Sequence, residues 1–208
     1  MIGIIDYGMG NLYSVSKALE RMDYDYVISD SPDVLRATKG LILPGVGSFK
    51  DAMTILTETG LADFIKESVS SGKPLLGICL GMQLLFEESE ENGLTKGLGF
   101  LPGNVIKFPG VTAAGETYKV PHMGWNDLTI RSNSPLLATL EHGHVYFVHS
   151  YYVNTSDEET VLASSTYDVE VPAVVGNDNV YGTQFHPEKS SDIGLTILKN
   201  YAAIVEGR

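Results

Sequence analysis

The single cysteine of this 208-residue chain lies in the segment Gly77-Ile-Cys79-Leu-Gly81. The segment falls where an apolar, strand-like run ends and a helical pattern begins. Glycines two positions before and two after the cysteine give the spacing of a nucleophile elbow, in which a sharp turn exposes the nucleophile. Free N–H groups at a helix start favour a thiolate and, later, an oxyanion. The pattern predicts a nucleophilic thiol, with a small buried core cysteine as the alternative.

A thiol nucleophile needs a base, and the base needs a group that orients it. The segment Gln184-Phe-His186-Pro-Glu188 offers both, directly after a strand-like stretch at 180–185. Alternation along an extended backbone places His186 and Glu188 on one side, and Pro187 stiffens the pair. His-x-Glu is common by chance, but together with the elbow it predicts a Cys–His–Glu triad.

Backbone N–H groups near the elbow are expected to form an oxyanion hole. Leu80 supplies one, directly after the nucleophile, and Val46 and Gly47 in Pro44-Gly-Val-Gly47 end the neighbouring predicted strand. The two glycines permit a peptide flip. We hypothesise that this segment rests with a carbonyl towards the site and flips to present an N–H. An ordinary glycine turn is the alternative.

The elements that position these segments alternate in the first half of the chain. Unalternating apolar runs predict strands and amphipathic patterns predict helices, which together indicate a parallel sheet covered on both faces. The predicted strands are 2–6, 26–28, 40–43 and 75–78, and the predicted helices are 11–22, 50–57, 61–70 and 82–88.

The second half is richer in strands. Strands are predicted at 105–108, 127–130, 145–148, 161–165, 173–176 and 180–185, with a hairpin turn at 177–179 and a helix at 192–205 capped by Ser191 or Asp192. No linker divides the chain. We therefore expect one α/β domain over residues 1–208, flavodoxin-like, with a mostly parallel central sheet, helices on both faces and an antiparallel extension.

Composition excludes several classes of function. The net charge is −12 with a pI near 4.7, and no basic run is present, which argues against nucleic-acid binding. One cysteine permits no internal disulfide or cysteine-rich zinc site. The longest uncharged apolar stretch, 74–86, is too short to span a membrane, which needs about 20 residues. With no signal-peptide pattern, we expect a cytoplasmic protein.

Neither a cofactor nor a metal is expected. Gly8-Met-Gly10 imitates a dinucleotide-binding fingerprint, but Tyr13 occupies the third glycine position. His142, His144 and His149 lack metal-ligand spacing.

The joint set of motifs resembles the class I glutamine amidotransferases, and among them the glutaminase subunits of imidazole glycerol phosphate synthases. The motifs that carry this resemblance, from residue 2 to the last helix, are 4–12, 44–49, 77–83, 121–126, 146–151 and 184–190. The resemblance implies that Cys79 attacks L-glutamine to form a thioester, that His186 transfers protons and that Glu188 orients the imidazole. It also places the substrate's amino-acid end near Gln83, Glu91 and the backbone of Ser150 and Tyr151.

The resemblance further implies a heterodimer with a TIM-barrel cyclase subunit, which receives the ammonia. Four residues beside the motifs without a role in the triad are candidates for the docking face: Asn11, Trp125, Tyr146 and Lys189. Trp125 is the expected anchor, since aromatic residues dominate interface energetics, and a core tryptophan is the alternative.

Two other interpretations of the sequence remain open. One is a stand-alone cysteine hydrolase, or a glutaminase for another synthase such as the one that makes pyridoxal phosphate. The other is a non-catalytic flavodoxin-like scaffold protein in which Cys79 is inert.

Overall fold

The structure is a computed structural model that describes residues 1–140 and 142–208. Its strands are β1 (Ile2–Ile5), β2 (Tyr26–Ser29), β3 (Gly40–Gly45), β4 (Leu75–Cys79), β5 (Phe86–Ser89), β6 (Thr95–Lys96), β7 (Leu101–Lys107), β8 (His122–Ile130), β9 (Gly143–His149), β10 (Tyr151–Asn154), β11 (Val161–Tyr167), β12 (Val169–Asn177) and β13 (Val180–Thr183). Its helices are α1 (Leu12–Arg21), α2 (Pro32–Arg36), α3 (Phe49–Glu58), α4 (Leu61–Ser70), α5 (Leu80–Gln83) and α6 (Ser191–Glu206). No described helix is long and apolar enough to cross a membrane.

A nine-stranded mixed sheet forms the centre, in the order β2-β1-β3-β4-β13-β12-β11-β8-β9. The pairs from β2 to β13 are parallel, and the pairs from β13 to β9 are antiparallel. The predicted turn at 177–179 joins β12 to β13 as a hairpin. The α/β class is therefore confirmed, and the antiparallel half is as extensive as the parallel half.

Two apolar clusters pack on the central sheet, and different helices contribute to each. Helices α1 and α6 bury residues such as Leu19 and Tyr201 in one cluster, while α3 and α4 bury Phe49 and Ile65 in the other. The second cluster extends to β5, β7 and β10. These three strands, with β6, make a separate four-stranded sheet that the sequence pattern did not predict.

The predicted helix at 82–88 is wrong beyond its second residue. Helix α5 ends at Gln83, and Phe86 begins strand β5, where it is fully buried and pairs with Leu101 of β7. An unbroken apolar run is equally compatible with a buried helix and a buried strand. Here the pairing with β7 makes the second part of the run a strand. The predicted cap of the last helix is also wrong, since Ser190 is its N-cap.

The elbow depends on two close backbone contacts. Cys79 has φ 57° and ψ −112°, an uncommon conformation for a side-chain-bearing residue. A Cβ on Gly77 would lie 2.5 Å from the Gly81 carbonyl oxygen, and a Cβ on Gly81 would lie 1.8 Å from the Leu43 carbonyl oxygen. Glycine at both positions therefore lets α5 lie against β3 and β4.

We expect Gly81→Ala to lower the free energy of unfolding by about 3 kcal/mol or more, because the added Cβ overlaps the carbonyl oxygen of Leu43, whose strand is paired with β4. Gly115→Ala is the control: its φ is +84° with no atom within 4 Å of the added Cβ, so left-handed strain alone should cost about 1–2 kcal/mol. Urea denaturation measures both, and equal losses would contradict the steric role of Gly81.

Candidate active site

The parallel strand pairing brings the predicted chemical groups to one edge of the sheet. Gly45 of β3 is the register partner of Cys79, and β13 runs parallel to β4 on the other side before the chain reaches His186. In open α/β sheets this carboxyl edge is where ligands bind. The edge borders a cavity of about 440 Å³.

Most of the predicted site residues line this cavity. They are Val46, Gly47, Cys79, Leu80, Gln83, Glu91, Ser150, Tyr151 and His186. Glu188 lies behind His186 with a fully buried side chain. Among the residues that the structure describes, no group of three or more His, Cys, Asp or Glu side chains could hold a metal ion.

His186 connects the thiol to the carboxylate. Its Nδ1 lies 2.8 Å from Glu188 Oε1, and Cys79 lies close enough to the ring to raise its pKa. Burial by itself lowers the pKa of His186, but the hydrogen bonds and charges of Cys79 and Glu188 outweigh it and raise the pKa to about 10. The imidazole is therefore held in its charged form at neutral pH, next to the Cys79 side chain.

The backbone between His186 and Glu188 differs from the predicted extended form. Strand β13 ends at Thr183, and Pro187–Lys189 is a 3-10 turn. Pro187 occupies the first position of the turn, where its fixed φ is suited and its missing N–H costs nothing. The turn, rather than strand alternation, brings Glu188 back to the imidazole.

Glu188 has a second carboxylate oxygen that is also buried. Oε2 has no hydrogen-bond partner among the described residues. A buried carboxylate that is incompletely hydrogen-bonded is costly unless a positive charge lies next to it. The imidazolium of His186 is that charge, so Glu188 both orients the ring and stabilises its protonated form.

The predicted oxyanion hole is only partly formed. Leu80 N–H follows the nucleophile at the start of α5, as expected. The Val46 N–H instead donates to the Met9 carbonyl oxygen at 3.1 Å, so in this conformation it is not a free donor towards the cavity. Gly47 has φ +98°, a conformation that favours glycine. An oxyanion role for Val46 therefore requires a second conformation of this segment.

Gln83 presents an acceptor to the cavity. Its amide nitrogen donates to the Tyr151 carbonyl oxygen at 2.9 Å and to Gln184 Oε1 at 3.0 Å, which uses both N–H bonds. The side-chain oxygen of Gln83 is left to accept from a bound molecule.

Glu91 supplies a carboxylate to the lining of the same cavity. Its Oε2 accepts from Phe49 N–H at 2.8 Å. The neighbouring acids are engaged elsewhere, Glu88 with Lys96 and Glu90 with the Lys107 N–H. A carboxylate beside an amide oxygen suits the ammonium group of an amino acid.

Two of the four docking candidates, Trp125 and Tyr146, lie side by side in the fold. Trp125 is 55% exposed, so its alternative as a core tryptophan is wrong, and it faces Tyr146 across strands β8 and β9 with ring centroids 6.0 Å apart. Lys189 is exposed on the 3-10 turn. Asn11 caps α1, where its Oδ1 accepts from Ser14 N–H. Their role in docking stays a prediction.

Ser190 is a site residue to which sequence reasoning assigned no role. Its buried hydroxyl donates to the His186 carbonyl oxygen at 2.7 Å and accepts from Tyr146 N–H at 2.9 Å. The His186 N–H in turn donates to the Tyr146 carbonyl oxygen at 3.1 Å. The backbone of His186 is therefore held at both ends against strand β9. A serine four residues after the histidine was the available signal.

Comparison with protein families agrees with this site. The family model described as "Glutamine amidotransferase class-I" matches residues 3–203. The chain belongs to the class-I glutamine amidotransferase family.

Relatives with high identity narrow the family assignment to the imidazole glycerol phosphate synthase subunits HisH. The HisH protein of Geobacillus sp. (strain WCH70) is 73% identical over 208 residues, covering 100% of this chain and 99% of the relative. The HisH protein of Bacillus subtilis (strain 168) is 57% identical, covering 97% of this chain and 95% of the relative.

Solved structures with lower identity share the fold. A crystal structure of a glutamine amidotransferase superimposes with a TM-score of 0.76 at 24% identity, covering 100% of this chain and 99% of the other. The structure of PurLQS from Thermotoga maritima gives 0.74 at 22% identity, covering 98% of each chain.

We expect His186→Ala to slow alkylation of Cys79 by iodoacetamide at pH 7 by about tenfold or more, because the charge that favours the thiolate is lost. His144→Ala is the control, since that imidazole is exposed and pairs with Asp127. Mass spectrometry of the alkylated peptide gives both rates. Equal rates in the two variants would show that His186 does not activate the thiol.

Ser190→Ala removes the hydroxyl that holds His186 and leaves the Tyr146 N–H without its acceptor. We expect the free energy of unfolding to fall by about 2 kcal/mol, together with a lower kcat for glutamine hydrolysis. Ser132→Ala is the control, because that buried hydroxyl has no hydrogen-bond partner among the described residues. A Ser190→Ala protein with wild-type stability and kcat would contradict this assignment.

Proposed function

We propose that this chain hydrolyses L-glutamine to glutamate and ammonia as the glutaminase subunit of an imidazole glycerol phosphate synthase. The observation that carries the hydrolysis is the buried Cys79–His186–Glu188 arrangement at a cavity with acceptors for an amino acid. The high identity to HisH proteins along the whole chain carries the assignment to histidine biosynthesis.

In the first half of the reaction, the Cys79 thiolate attacks the carboxamide carbon of glutamine and forms a C–S bond. The imidazolium of His186 gives its proton to the amide nitrogen, the C–N bond breaks, and ammonia leaves a thioester behind. The developing oxyanion faces the Leu80 N–H.

In the second half, neutral His186 takes a proton from water while the water oxygen attacks the thioester carbon. The C–S bond breaks, glutamate leaves, and the thiolate–imidazolium pair is restored. Glu188 stabilises the protonated ring at the start and end of this cycle.

The amino-acid end of glutamine is proposed to bind at Gln83, Glu91 and the backbone of Ser150 and Tyr151. The free oxygen of Gln83 and the Glu91 carboxylate accept from its ammonium group, which leaves the carboxamide end directed towards Cys79. This places both ends of the substrate within the cavity.

A TIM-barrel cyclase is the proposed partner, and it receives the ammonia. Support comes from the exposed Trp125 and Met123 on β8, since large exposed apolar side chains mark interaction surfaces. Strand β9 carries Tyr146 on the same surface and is bonded to His186. The cyclase completes a heterodimer with no cofactor in this subunit.

We also propose a cytoplasmic location, because a protein with one free cysteine suits a reducing compartment.

The oxyanion segment explains why the partner is needed. The Val46 N–H is held by the Met9 carbonyl, so turnover requires the peptide around Val46 and Gly47 to flip. Docking of a cyclase that carries its ligand is proposed to favour the flipped form. Without the partner, the groups of the triad are assembled but the oxyanion has an incomplete set of donors.

The test is glutamate release by the purified chain with and without a co-expressed barrel cyclase and its nucleotide ligand. We expect low activity alone and a large increase with the liganded cyclase. High activity that the cyclase does not change would favour a stand-alone hydrolase. Absence of glutamate in every condition would favour the inert scaffold.

Gly47→Val tests the flip. A β-branched residue restricts the backbone at position 47, where glycine can exchange between two conformations, so we expect glutaminase turnover in the complex to fall by about a hundredfold. Gly99→Val is the matched control, with φ +73° and no atom within 4 Å of an added Cβ. Circular dichroism confirms that both variants fold. Unchanged turnover in Gly47→Val would count against the flip.

A further inference from the structure

Two buried histidines outside the triad form a pair behind the substrate cavity. His122 Nδ1 lies 3.0 Å from His149 Nε2, and the two residues are 2% and 7% exposed. His149 also lines the cavity. The His122 ring is stacked between Phe147 and Tyr167, with centroids 4.4 Å and 4.1 Å away.

The pair belongs to a longer chain of hydrogen bonds. His149 Nδ1 lies 2.8 Å from the Tyr151 carbonyl oxygen, at one end. Asn126 Nδ2 lies 3.2 Å from His122 Nε2 at the other, and it also donates to the Thr166 carbonyl oxygen at 2.9 Å. Four groups are therefore connected in sequence, from the side chain of Asn126 to the backbone of Tyr151.

Only one arrangement of protons satisfies every bond when both rings are neutral. A carbonyl oxygen only accepts, so His149 carries its proton on Nδ1, and its Nε2 accepts. His122 then donates from Nδ1, and its Nε2 accepts from Asn126. Burial lowers the pKa of His122 to about 4 and that of His149 to about 3, so both rings are neutral at neutral pH.

The carbonyl at the end of this chain holds the proposed glutamine-binding residues together. The Tyr151 carbonyl oxygen accepts from His149 and from Gln83, so both of its lone pairs are used. His149 thereby fixes the backbone of Tyr151 and, through the shared oxygen, the side chain of Gln83. The orientation of Gln83 decides whether its free oxygen faces the substrate.

We infer that His122 and His149, directed by Asn126, are positioning residues that hold the Tyr151 carbonyl and Gln83 in the geometry that binds the amino-acid end of glutamine. The inference rests on the function proposed above. Neither imidazole takes part in the reaction. Each ring accepts a hydrogen bond at Nε2 and donates one from Nδ1, so the direction of the hydrogen bonds is fixed from Asn126 to Tyr151. Breaking this series of hydrogen bonds is expected to weaken glutamine binding and therefore to raise the KM for glutamine.

The Asn126 end of this series of hydrogen bonds lies beside the proposed docking face. Asn126 follows the exposed Trp125 on β8 and is half-buried, whereas His122 and His149 are buried. A substitution at His122 therefore leaves the exposed side chains of that face in place, and its effect on glutamine binding is separable from docking.

The test compares His122→Phe with His122→Asn in the complex with the barrel cyclase. Phenylalanine keeps the stack with Phe147 and Tyr167 but removes the donor to His149, whereas asparagine places an N–H near the position of Nδ1. We expect His122→Phe to raise the KM for glutamine about tenfold with kcat within about twofold, and His122→Asn to restore most of the KM. Tyr167→Phe, which alters only the hydroxyl of the stacked ring, is the matched control and should leave KM unchanged.

Side-chain ¹⁵N NMR gives an independent readout in the wild-type chain. We expect His122 and His149 both to be protonated on Nδ1. In His122→Phe, His149 should keep that proton, because the Tyr151 carbonyl still accepts it, while the ¹⁵N signal of its unprotonated Nε2 shifts on losing the hydrogen bond from His122. Asn126→Ala provides a second variant should His122→Phe not fold, measured at saturating cyclase, with an expected rise in KM.

Three results would overturn the inference: a proton on His149 Nε2, an unchanged KM in His122→Phe or, should that variant not fold, an unchanged KM in Asn126→Ala. Equal losses of stability in both His122 variants without a change in KM would show that the pair only packs the core. A wild-type complex that releases no glutamate would instead overturn the proposed function, so the two failures are distinguishable.

Discussion

The contact between Gly81 and the Leu43 carbonyl is the constraint on which the active site depends. Because no side chain separates them, α5 lies directly against β3, and β4 turns at Cys79 with a positive φ. That turn brings the thiol, the Leu80 N–H and Gln83 to the same edge of the sheet. The turn after β13 then needs only to bring His186 and Glu188 to that edge, and Ser190 holds it against β9.

The triad was predictable because its signals are local. Two glycines around Cys79 and the His186-Pro-Glu188 unit each occupy a few consecutive residues, and the alternation of elements indicated the parallel half of the sheet. The reason given for the His–Glu geometry was wrong, however, since a 3-10 turn rather than an extended strand brings them together.

What the sequence could not reveal depends on partners distant along the chain. The run at 82–88 divides into helix and strand because Phe86 pairs with β7, and the second sheet follows from that pairing. The histidine pair joins β8 to β9 across 27 residues, and no spacing rule connects those positions. The Val46 N–H donates to the carbonyl oxygen of Met9, which lies in the loop after β1. Local patterns therefore predicted the candidate reacting groups, while tertiary contacts decide how they are held.

We propose that Cys79 forms a covalent γ-glutamyl thioester, which His186 helps to make and break. Rapid acid quenching of the complex with the cyclase during glutamine turnover, followed by intact-mass and peptide analysis, tests it most directly. We expect one γ-glutamyl adduct on the peptide that contains Cys79 and no adduct in Cys79→Ala. Turnover that proceeds in Cys79→Ala, or an adduct on another residue, would contradict it.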